Sequence, residues 1–228
     1  MAEVLQAEQR MALRAILFDV DGTLVDSNDA HADAWVQAFR AHGVDVDWIK
    51  VRRSIGMGGD KLMPAVSGIE ETSAKGSAIA DDRGKIFKRD FLPKIKPFRN
   101  AARLVAAVKE RGYTVVAASS APKDELTPLL KIAGANALMD AKTSSDDAEE
   151  SKPDPDIIVA ALKRAKATAS EALLIGDTPY DVEAARRAGV KVIGFRSGGW
   201  SDADLAGALA VYDGPWDLLA RIDESPLA

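Results

Sequence analysis

Short apolar runs that alternate with amphipathic helical stretches constrain the fold of this chain more than any other feature. The run that ends at Phe18 is continuously apolar, which is typical of a strand buried on both faces of a parallel sheet. Further strands are predicted at 113–118, 137–139, 172–175 and 190–195. Helices are predicted between them, at 101–111, 124–133, 156–166 and 179–188. This alternation predicts an α/β fold, in which a Rossmann-like, doubly wound parallel sheet is covered by helices on both faces.

Residues 26–96 interrupt the alternation and are called the helical insert. They carry helical patterns at about 30–42, 47–54, 60–66 and 73–91, without a convincing strand between them. Trp35 and Phe39 stand four residues apart, so they share one face of the first helix. A segment of this length matches a small domain. We therefore predict a core domain, residues 1–25 and 97–228, and a second domain formed by the helical insert.

Composition excludes several classes of protein. The chain has no cysteine and 2 histidines, which excludes disulfides, thiolate nucleophiles and imidazole-rich metal sites. The formal net charge is −5, and no apolar run is long enough to span a bilayer, so we expect no nucleic-acid partner and no membrane partner. Residues 1–13 are polar and are predicted to form a helical or frayed extension. They do not resemble a secretory signal, so we expect the protein to be cytoplasmic.

Polar residues follow several of the predicted strands. Asp19 and Asp21 follow the first strand, Ser119 and Ser120 follow the second, and Asp177 follows the strand at 172–175. Parallel strands end at one edge of a sheet, and open α/β sheets bind their ligands at that edge. A simple turn explains the first motif equally well when it is taken alone, because Asp-Gly between apolar residues is a strong turn signal.

Helix capping accounts for part of two later motifs. Before the helix at 156–166, Asp154 is the predicted N-cap residue, which leaves Lys152 without an explanation. Before the helix at 179–188, Thr178 and Asp181 form a predicted capping box, which leaves Asp177 without one. The sequence therefore places Lys152 and Asp177 among the candidates for a functional role.

The predicted convergence of carboxylates indicates a cation. Asp19, Asp21, Asp177 and Asp181 would meet at one end of the sheet. Two carboxylates about 4 Å apart repel each other by about 4 kcal/mol at an effective dielectric constant of 20, so such a cluster needs a positive charge. Oxygen ligands alone, with room for water, favour Mg²⁺. A metal held by few protein ligands generally binds a phosphate as well, to which a lysine and a hydroxyl can also donate.

These motifs, in this order, resemble those of the haloacid dehalogenase superfamily of phosphotransferases. The matching residues are Asp19 to Thr23, Ser119, Lys152 with Pro153, and Gly176 and Asp177 with Asp181, so that the resemblance spans residues 14 to about 199. The helical insert resembles the family's C1-type cap, as in its phosphoglycolate phosphatase-like and β-phosphoglucomutase-like members. The resemblance implies a Mg²⁺-dependent phosphatase that hydrolyses a small phosphorylated metabolite through an aspartyl phosphate.

The resemblance also implies individual roles. Asp19 would be the nucleophile, Asp21 the general acid and then the base, and Lys152 would steady the phosphate and the nucleophile. Crowding by the other carboxylates is expected to favour the protonated form of Asp21. Mg²⁺ would be bound by Asp19, by the main-chain carbonyl of Asp21 and by Asp177, with support from Asp181. The residues expected to contact the substrate are Thr23, Ser119, Ser120, Gly56, Lys61 and His31.

Two rival functions remain open at this stage. The first is a β-phosphoglucomutase-like phosphotransferase, whose members carry a histidine that matches His31. The loop 55–61, however, lacks the arginine that sugar-phosphate mutases of the family place there. The second is a binding module without catalysis on the same fold. The second aspartate, Asp21, argues against dehalogenation, because dehalogenases of the superfamily lack it. The sequence identifies neither the substrate nor the oligomeric state.

Overall fold

A parallel sheet forms the centre of the computed structural model, which describes residues 13–228. The strands are β1 (Ala15–Phe18), β2 (Val25–Asp26), β3 (Lys96–Pro97), β4 (Thr114–Ala118), β5 (Ala141–Thr143), β6 (Ala172–Gly176), β7 (Lys191–Phe195) and β8 (Ala210–Tyr212). Within the described part of the chain, six of them form one sheet in the order β5-β4-β1-β6-β7-β8. All its strand pairs are parallel. Residues 1–12, and with them the predicted extension, lie outside the described residues.

Helices cover both faces of this sheet. They are α1 (Asn28–Ala41), α2 (Trp48–Ser54), α3 (Gly59–Ser67), α4 (Ala74–Ile86), α5 (Ala101–Glu110), α6 (Lys123–Ile132), α7 (Asp156–Ala165), α8 (Pro179–Ala188) and α9 (Pro215–Ala220). Phe18 of β1 lies in one apolar cluster with Leu104 of α5, whereas Leu17 lies in another with Ile158 of α7. Successive side chains of a strand point to opposite faces, so β1 is buried on both sides. The predicted fold class is confirmed.

The helical insert has an apolar cluster of its own. Helices α1 to α4 follow β2 and precede β3, and these two short strands pair antiparallel where the chain leaves the core and returns to it. Trp35, Phe39 and Leu62 lie within that cluster. The helix predicted over 73–91 is present as α4 followed directly by a wider π-helical turn at 87–91, which buries the Phe87 ring. The domain boundaries at residues 26 and 96 stay a prediction.

One predicted strand is misplaced. The chain turns at 137–139, and β5 begins at Ala141. This short run is apolar because Leu138 and Met139 pack against the core cluster, and not because they pair with a neighbouring strand. The main-chain N–H of Asp140 donates to the carbonyl of Val115, so pairing with β4 starts just after the turn. None of the described helices has the length and apolar composition needed to cross a lipid bilayer.

Candidate active site

Three aspartates meet where β1 and β6 end. The two strands are neighbours in register, with Phe18 opposite Ile175, so Asp19 and Asp177 leave the sheet side by side. Asp181 joins them from the first turn of α8. Each of these three buried side chains offers an oxygen, and the three oxygens lie within 4.8 Å of one another. The group could hold a divalent cation, because hard oxygen ligands of this kind suit Mg²⁺.

Lys152 lies against two of these carboxylates. Its Nζ donates to Asp19 Oδ1 at 2.6 Å and to the main-chain oxygen of Ala118 at 3.0 Å, and it lies 2.7 Å from Asp181 Oδ1. The side chain is 1% exposed. Burial acts to lower the pKa of Lys152, but the charges of Asp181 and Asp19 raise it above the usual value. The ammonium therefore stays charged and fixes the position of the Asp19 carboxylate.

Asp177 is enclosed on several sides. The Thr23 hydroxyl donates to its Oδ1 and the Asn28 amide to its Oδ2, each at 3.0 Å. Gly22 has a φ of +75°, and a Cβ atom there would lie 2.1 Å from Asp177 Oδ2, so both the turn and the close approach require glycine. Asn28 Oδ1 is buried without a hydrogen-bond partner among residues 13–228. This enclosure positions the Asp177 carboxylate beside Asp19.

The three carboxylates repel one another when no cation is present. Burial and the charge of Asp181 raise the pKa of Asp19 to about 7, although the charge of Lys152 acts to lower it. Burial and the charges of Asp19 and Asp181 raise the pKa of Asp177 well above its usual value. Lys152 alone therefore does not balance the cluster, and a bound cation would favour the ionised forms. The donor set fits a divalent metal.

The raised pKa of Asp19 predicts a pH-dependent stability in metal-free protein. A carboxyl with a raised pKa in the folded state stabilises that state fully below the unfolded pKa, and this contribution is lost as the pH rises through the folded pKa. We expect the free energy of unfolding of the wild type, relative to Asp19→Asn, to fall between pH 4 and pH 7, by about 1.4 kcal/mol per unit of pKa shift. Denaturant titrations in a chelator measure it; parallel pH curves for the two proteins would contradict it.

Asp21 belongs to a different set of contacts. Its Oδ1 accepts from the Ser27 hydroxyl at 2.5 Å and lies 2.8 Å from Nε2 of His31. Arg83, from α4, lies with Nη2 2.9 Å from Nδ1 of His31. A guanidinium only donates, so Nδ1 accepts and Nε2 carries the hydrogen that faces Asp21. The His31 ring also stacks on Phe87 at 4.0 Å.

These contacts overturn one expectation about Asp21. Burial acts to raise the pKa of Asp21, but the contact with His31, the Ser27 hydrogen bond and the charge of Arg83 lower it below its usual value. The prediction that neighbouring carboxylates favour protonated Asp21 is therefore wrong for the ligand-free protein. The physical reason is that His31, the Ser27 hydroxyl and the charge of Arg83 favour the ionised form of this side chain more strongly than burial opposes it.

Arg83 is a site residue that sequence reasoning missed, as it missed Ser27 and Asn28. Its Nη1 donates to both carboxylate oxygens of Glu125, at 2.7 and 2.8 Å, and so connects α4 of the helical insert to α6 of the core. Glu125 is 1% exposed, which is unusual for an acid unless it is paired. In the sequence, Arg83 is one charge among several on a polar helix, so no local signal distinguishes it.

Comparison with known proteins identifies the family. Residues 16–195 match the model of the haloacid dehalogenase-like hydrolases. The chain belongs to this family. It is 30% identical to phosphoglycolate phosphatase from Rhodospirillum rubrum over 88% of this chain and 87% of that protein. The crystal structure of a hydrolase from Pseudomonas syringae superposes with a TM-score of 0.86 at 32% identity, covering 92% of this chain and 98% of that one.

A further relative is much longer than this chain. Protein SUPPRESSOR OF QUENCHING 1, chloroplastic, from Arabidopsis thaliana is 34% identical over 80% of this chain, and the match spans only 18% of that protein. The similarity therefore concerns one part of the plant protein. This similarity supports membership of the family. Because the family consists of haloacid dehalogenase-like hydrolases, this chain is an enzyme of the hydrolase type.

The predicted capping box is present, whereas the other predicted cap is not. Thr178 is the N-cap residue of α8, its hydroxyl accepts from the N–H of Asp181, and Asp181 accepts from the N–H of Thr178. The N-cap residue of α7 is Pro155 and not Asp154. Asp154 instead pairs with Arg187 at 2.7 Å. Its carboxylate is thus engaged away from the helix start.

Among the predicted substrate-binding residues, Ser120 and Gly56 lie close to the aspartates, whereas Lys61 is paired elsewhere. Ser119 and Ser120 lie at the end of β4, where Ser120 donates to the carbonyl of Gly56 at 3.3 Å. Gly56 has a φ of +112°, and a Cβ atom there would lie 2.8 Å from the Thr178 methyl, so glycine is needed for this close approach to the core. Lys61 instead pairs with Glu150 and lies 3.2 Å from Asp154. Their roles towards substrate stay predictions.

Two adjacent cavities lie near the aspartates. A small one, of about 50 Å³, is lined by Asp19, Asp21 and His31. A larger one, of about 420 Å³, lies between the helical insert and the core. The two cavities share four lining residues, which are Trp35, Met57, Arg83 and Ser120. Neither is lined by Lys61, whose charge is engaged at the edge of the helical insert.

Proposed function

We propose that this protein is a Mg²⁺-dependent phosphatase that hydrolyses a small phosphorylated metabolite through an aspartyl phosphate on Asp19. The observation that carries the proposal is the buried Asp19 carboxylate, held at 2.6 Å by Lys152 and placed beside Asp177 and Asp181. Such a carboxylate attacks a phosphate dianion only where positive charge offsets the repulsion. The relative from Rhodospirillum rubrum, named phosphoglycolate phosphatase, supports the same reaction class.

The residues suggest a division of labour over two steps. An oxygen of Asp19 attacks the phosphorus, the bond to the leaving-group oxygen breaks, and Asp21 gives that oxygen a proton. A water then attacks the phosphorus of the aspartyl phosphate and gives its proton to Asp21, which restores both aspartates. Although the pKa of Asp21 is lowered in the ligand-free protein, a phosphate dianion beside it would raise that pKa.

Asp19, Asp177 and Asp181 are the side chains that would hold Mg²⁺. When bound, the ion supplies positive charge that screens the nucleophile from the phosphate oxygens. Lys152 adds a fixed charge on the other side of the same carboxylate. The enclosure of Asp177 by Thr23 and Asn28 supports a ligand role, because neither contact serves a helix cap or a strand.

The proposed roles predict an unusual phenotype for Asp21→Asn. We expect the first turnover of an alkyl phosphate to fall by about 10² to 10⁴, since an alkoxide leaves poorly without a proton. The first turnover of p-nitrophenyl phosphate is expected to fall much less, because nitrophenolate leaves without one. A stopped-flow burst of nitrophenolate followed by a stall, with phosphate still on Asp19, is the signature. Equal losses on the two esters would contradict the role of Asp21 as an acid.

The direct test of the function is phosphate release. Phosphorylated sugars, phosphoglycolate and nucleotides are assayed with Mg²⁺ and with a chelator, and isomerisation of glucose 1-phosphate is followed beside them. The mutase alternative is supported by the contact of His31 with Asp21, at the position of the histidine in the mutase-like members. Isomerisation without phosphate release would favour that alternative, whereas Mg²⁺-dependent release would favour the phosphatase. Binding without either reaction would leave the non-catalytic module.

A further inference from the structure

The larger cavity is where the leaving group of a substrate must lie, if the proposed function holds. It adjoins the small cavity at Asp19 through the shared residues Trp35, Met57, Arg83 and Ser120. The small cavity, at about 50 Å³, has room for little more than a phosphoryl group, so the rest of a phosphate ester extends into the larger one. A volume of about 420 Å³ falls in the range of small-molecule sites.

The wall of this cavity is strongly acidic. Its charged lining residues are six acids, namely Asp60, Glu71, Asp81, Asp124, Glu125 and Glu149, and two bases, Arg83 and Lys88. Arg83 pairs with Glu125 at 2.7 Å, and Lys88 pairs with Asp124 at 2.5 Å. Within residues 13–228, the other four acids have no Lys, Arg or His nitrogen within 4.0 Å. The wall therefore carries a formal charge of −4.

One of these four acids, Glu71, is partly shielded from water. It lies in the loop between α3 and α4, partly buried. Burial and the charge of Asp60 raise the pKa of Glu71, although Arg83 acts to lower it. A carboxylate in this position gains from a neighbouring cation and is destabilised by a further anion.

We propose that this cavity selects the monophosphate of an amine-bearing polyol, such as an amino sugar, and rejects leaving groups that carry a carboxylate or a second phosphate. The unpaired carboxylates accept hydrogen bonds and cannot donate them, so they match ammonium and hydroxyl groups. An anionic leaving group would lose its hydration next to like charges, with no free cation on the wall to offset this. Neutral polyols should fall between the two classes.

Three monophosphates with a six-carbon skeleton test the proposal. Glucosamine 6-phosphate carries an amine, and 6-phosphogluconate carries a carboxylate. Glucose 6-phosphate carries no charge besides its phosphate. One charge-assisted hydrogen bond changes an equilibrium constant by about tenfold or more. We therefore expect kcat/KM for the amine-bearing substrate to exceed kcat/KM for the carboxylate-bearing substrate by at least about 30-fold. The ratio should shrink as salt is added.

Binding is measured separately from turnover. The Asp19→Asn protein keeps the cavity, and Trp35 in its wall provides a fluorescence signal for titration with the same three compounds. We expect the same order of Kd values. A failure to release phosphate in the wild type, even from p-nitrophenyl phosphate, would contradict the proposed function, while the order of Kd values still decides the present inference.

Charge-neutral variants of the wall test whether its acids cause the preference for the amine-bearing substrate. Glu71→Gln combined with Asp81→Asn should lower the ratio of amine to carboxylate substrate by about tenfold or more, mainly through KM. Glu110→Gln serves as a control for loss of a surface charge, because it removes an exposed charge from α5, away from both cavities, and should leave the ratio unchanged. Equal values for the three substrates, a preference for 6-phosphogluconate, or an unchanged ratio in the double variant would each overturn the inference.

Discussion

Asp19→Asn is expected to lower the turnover of every phosphate ester by at least about 10³-fold while the protein stays folded. The amide lacks the negative charge that attacks phosphorus, so the covalent route is lost. Lys152 keeps Asp181 at 2.7 Å and the Ala118 carbonyl at 3.0 Å, so its buried charge is not left without partners. Phosphate release at saturating substrate measures the loss, and circular dichroism checks the fold.

A matched control separates the chemistry from the change of charge. Asp26→Asn makes the same substitution at an exposed position of β2, where the wild-type turnover should be retained. Mass spectrometry of the acid-quenched wild type should find phosphate on the peptide that contains Asp19, and none should be found in the variant. Turnover near the wild-type level in folded Asp19→Asn protein would rule Asp19 out as the nucleophile.

Much of the core could be predicted from the sequence because its signals are local. The continuous apolar run that becomes β1 needs no partner to be recognised as a buried strand. The capping box of Thr178 and Asp181 involves positions three residues apart, and the structure contains it. Asp19 and Asp177 could be expected to meet because the carboxyl ends of parallel strands share one edge.

The missed features depend on contacts between distant parts of the chain. Arg83 is positioned by its contacts with His31 and Glu125, which lie 52 and 42 residues away in the sequence. The polar face of its helix does not reveal either contact. The state of Asp21 likewise depends on donors from α1 and α4 and not on the carboxylates nearest in the motif. Lys61 pairs with acids from the loop before α7, a contact that the sequence does not reveal, and its role towards substrate stays a prediction.

Asp177→Asn is expected to remove the response of the protein to Mg²⁺. In the wild type, Mg²⁺ at 100 times its Kd should raise the free energy of unfolding by about 2.7 kcal/mol, since the ion binds the folded state. In the variant this increase should be largely lost, and Mg²⁺-dependent turnover should fall by at least about 10²-fold. Denaturant titrations with Mg²⁺ and with a chelator measure the first effect without any assay of activity.

The stability of the metal-free variant decides whether Asp177 is a ligand or only part of the packing. The new amide removes one of three mutually repelling buried carboxylates, so metal-free Asp177→Asn should be at least as stable as metal-free wild type. The Thr23 hydroxyl can still donate to the remaining oxygen, and Asn28 can turn its unpartnered Oδ1 towards the new N–H donors. A variant that loses stability in chelator, yet gains as much from Mg²⁺ as the wild type, would show that Asp177 serves the fold and that the ion is held elsewhere.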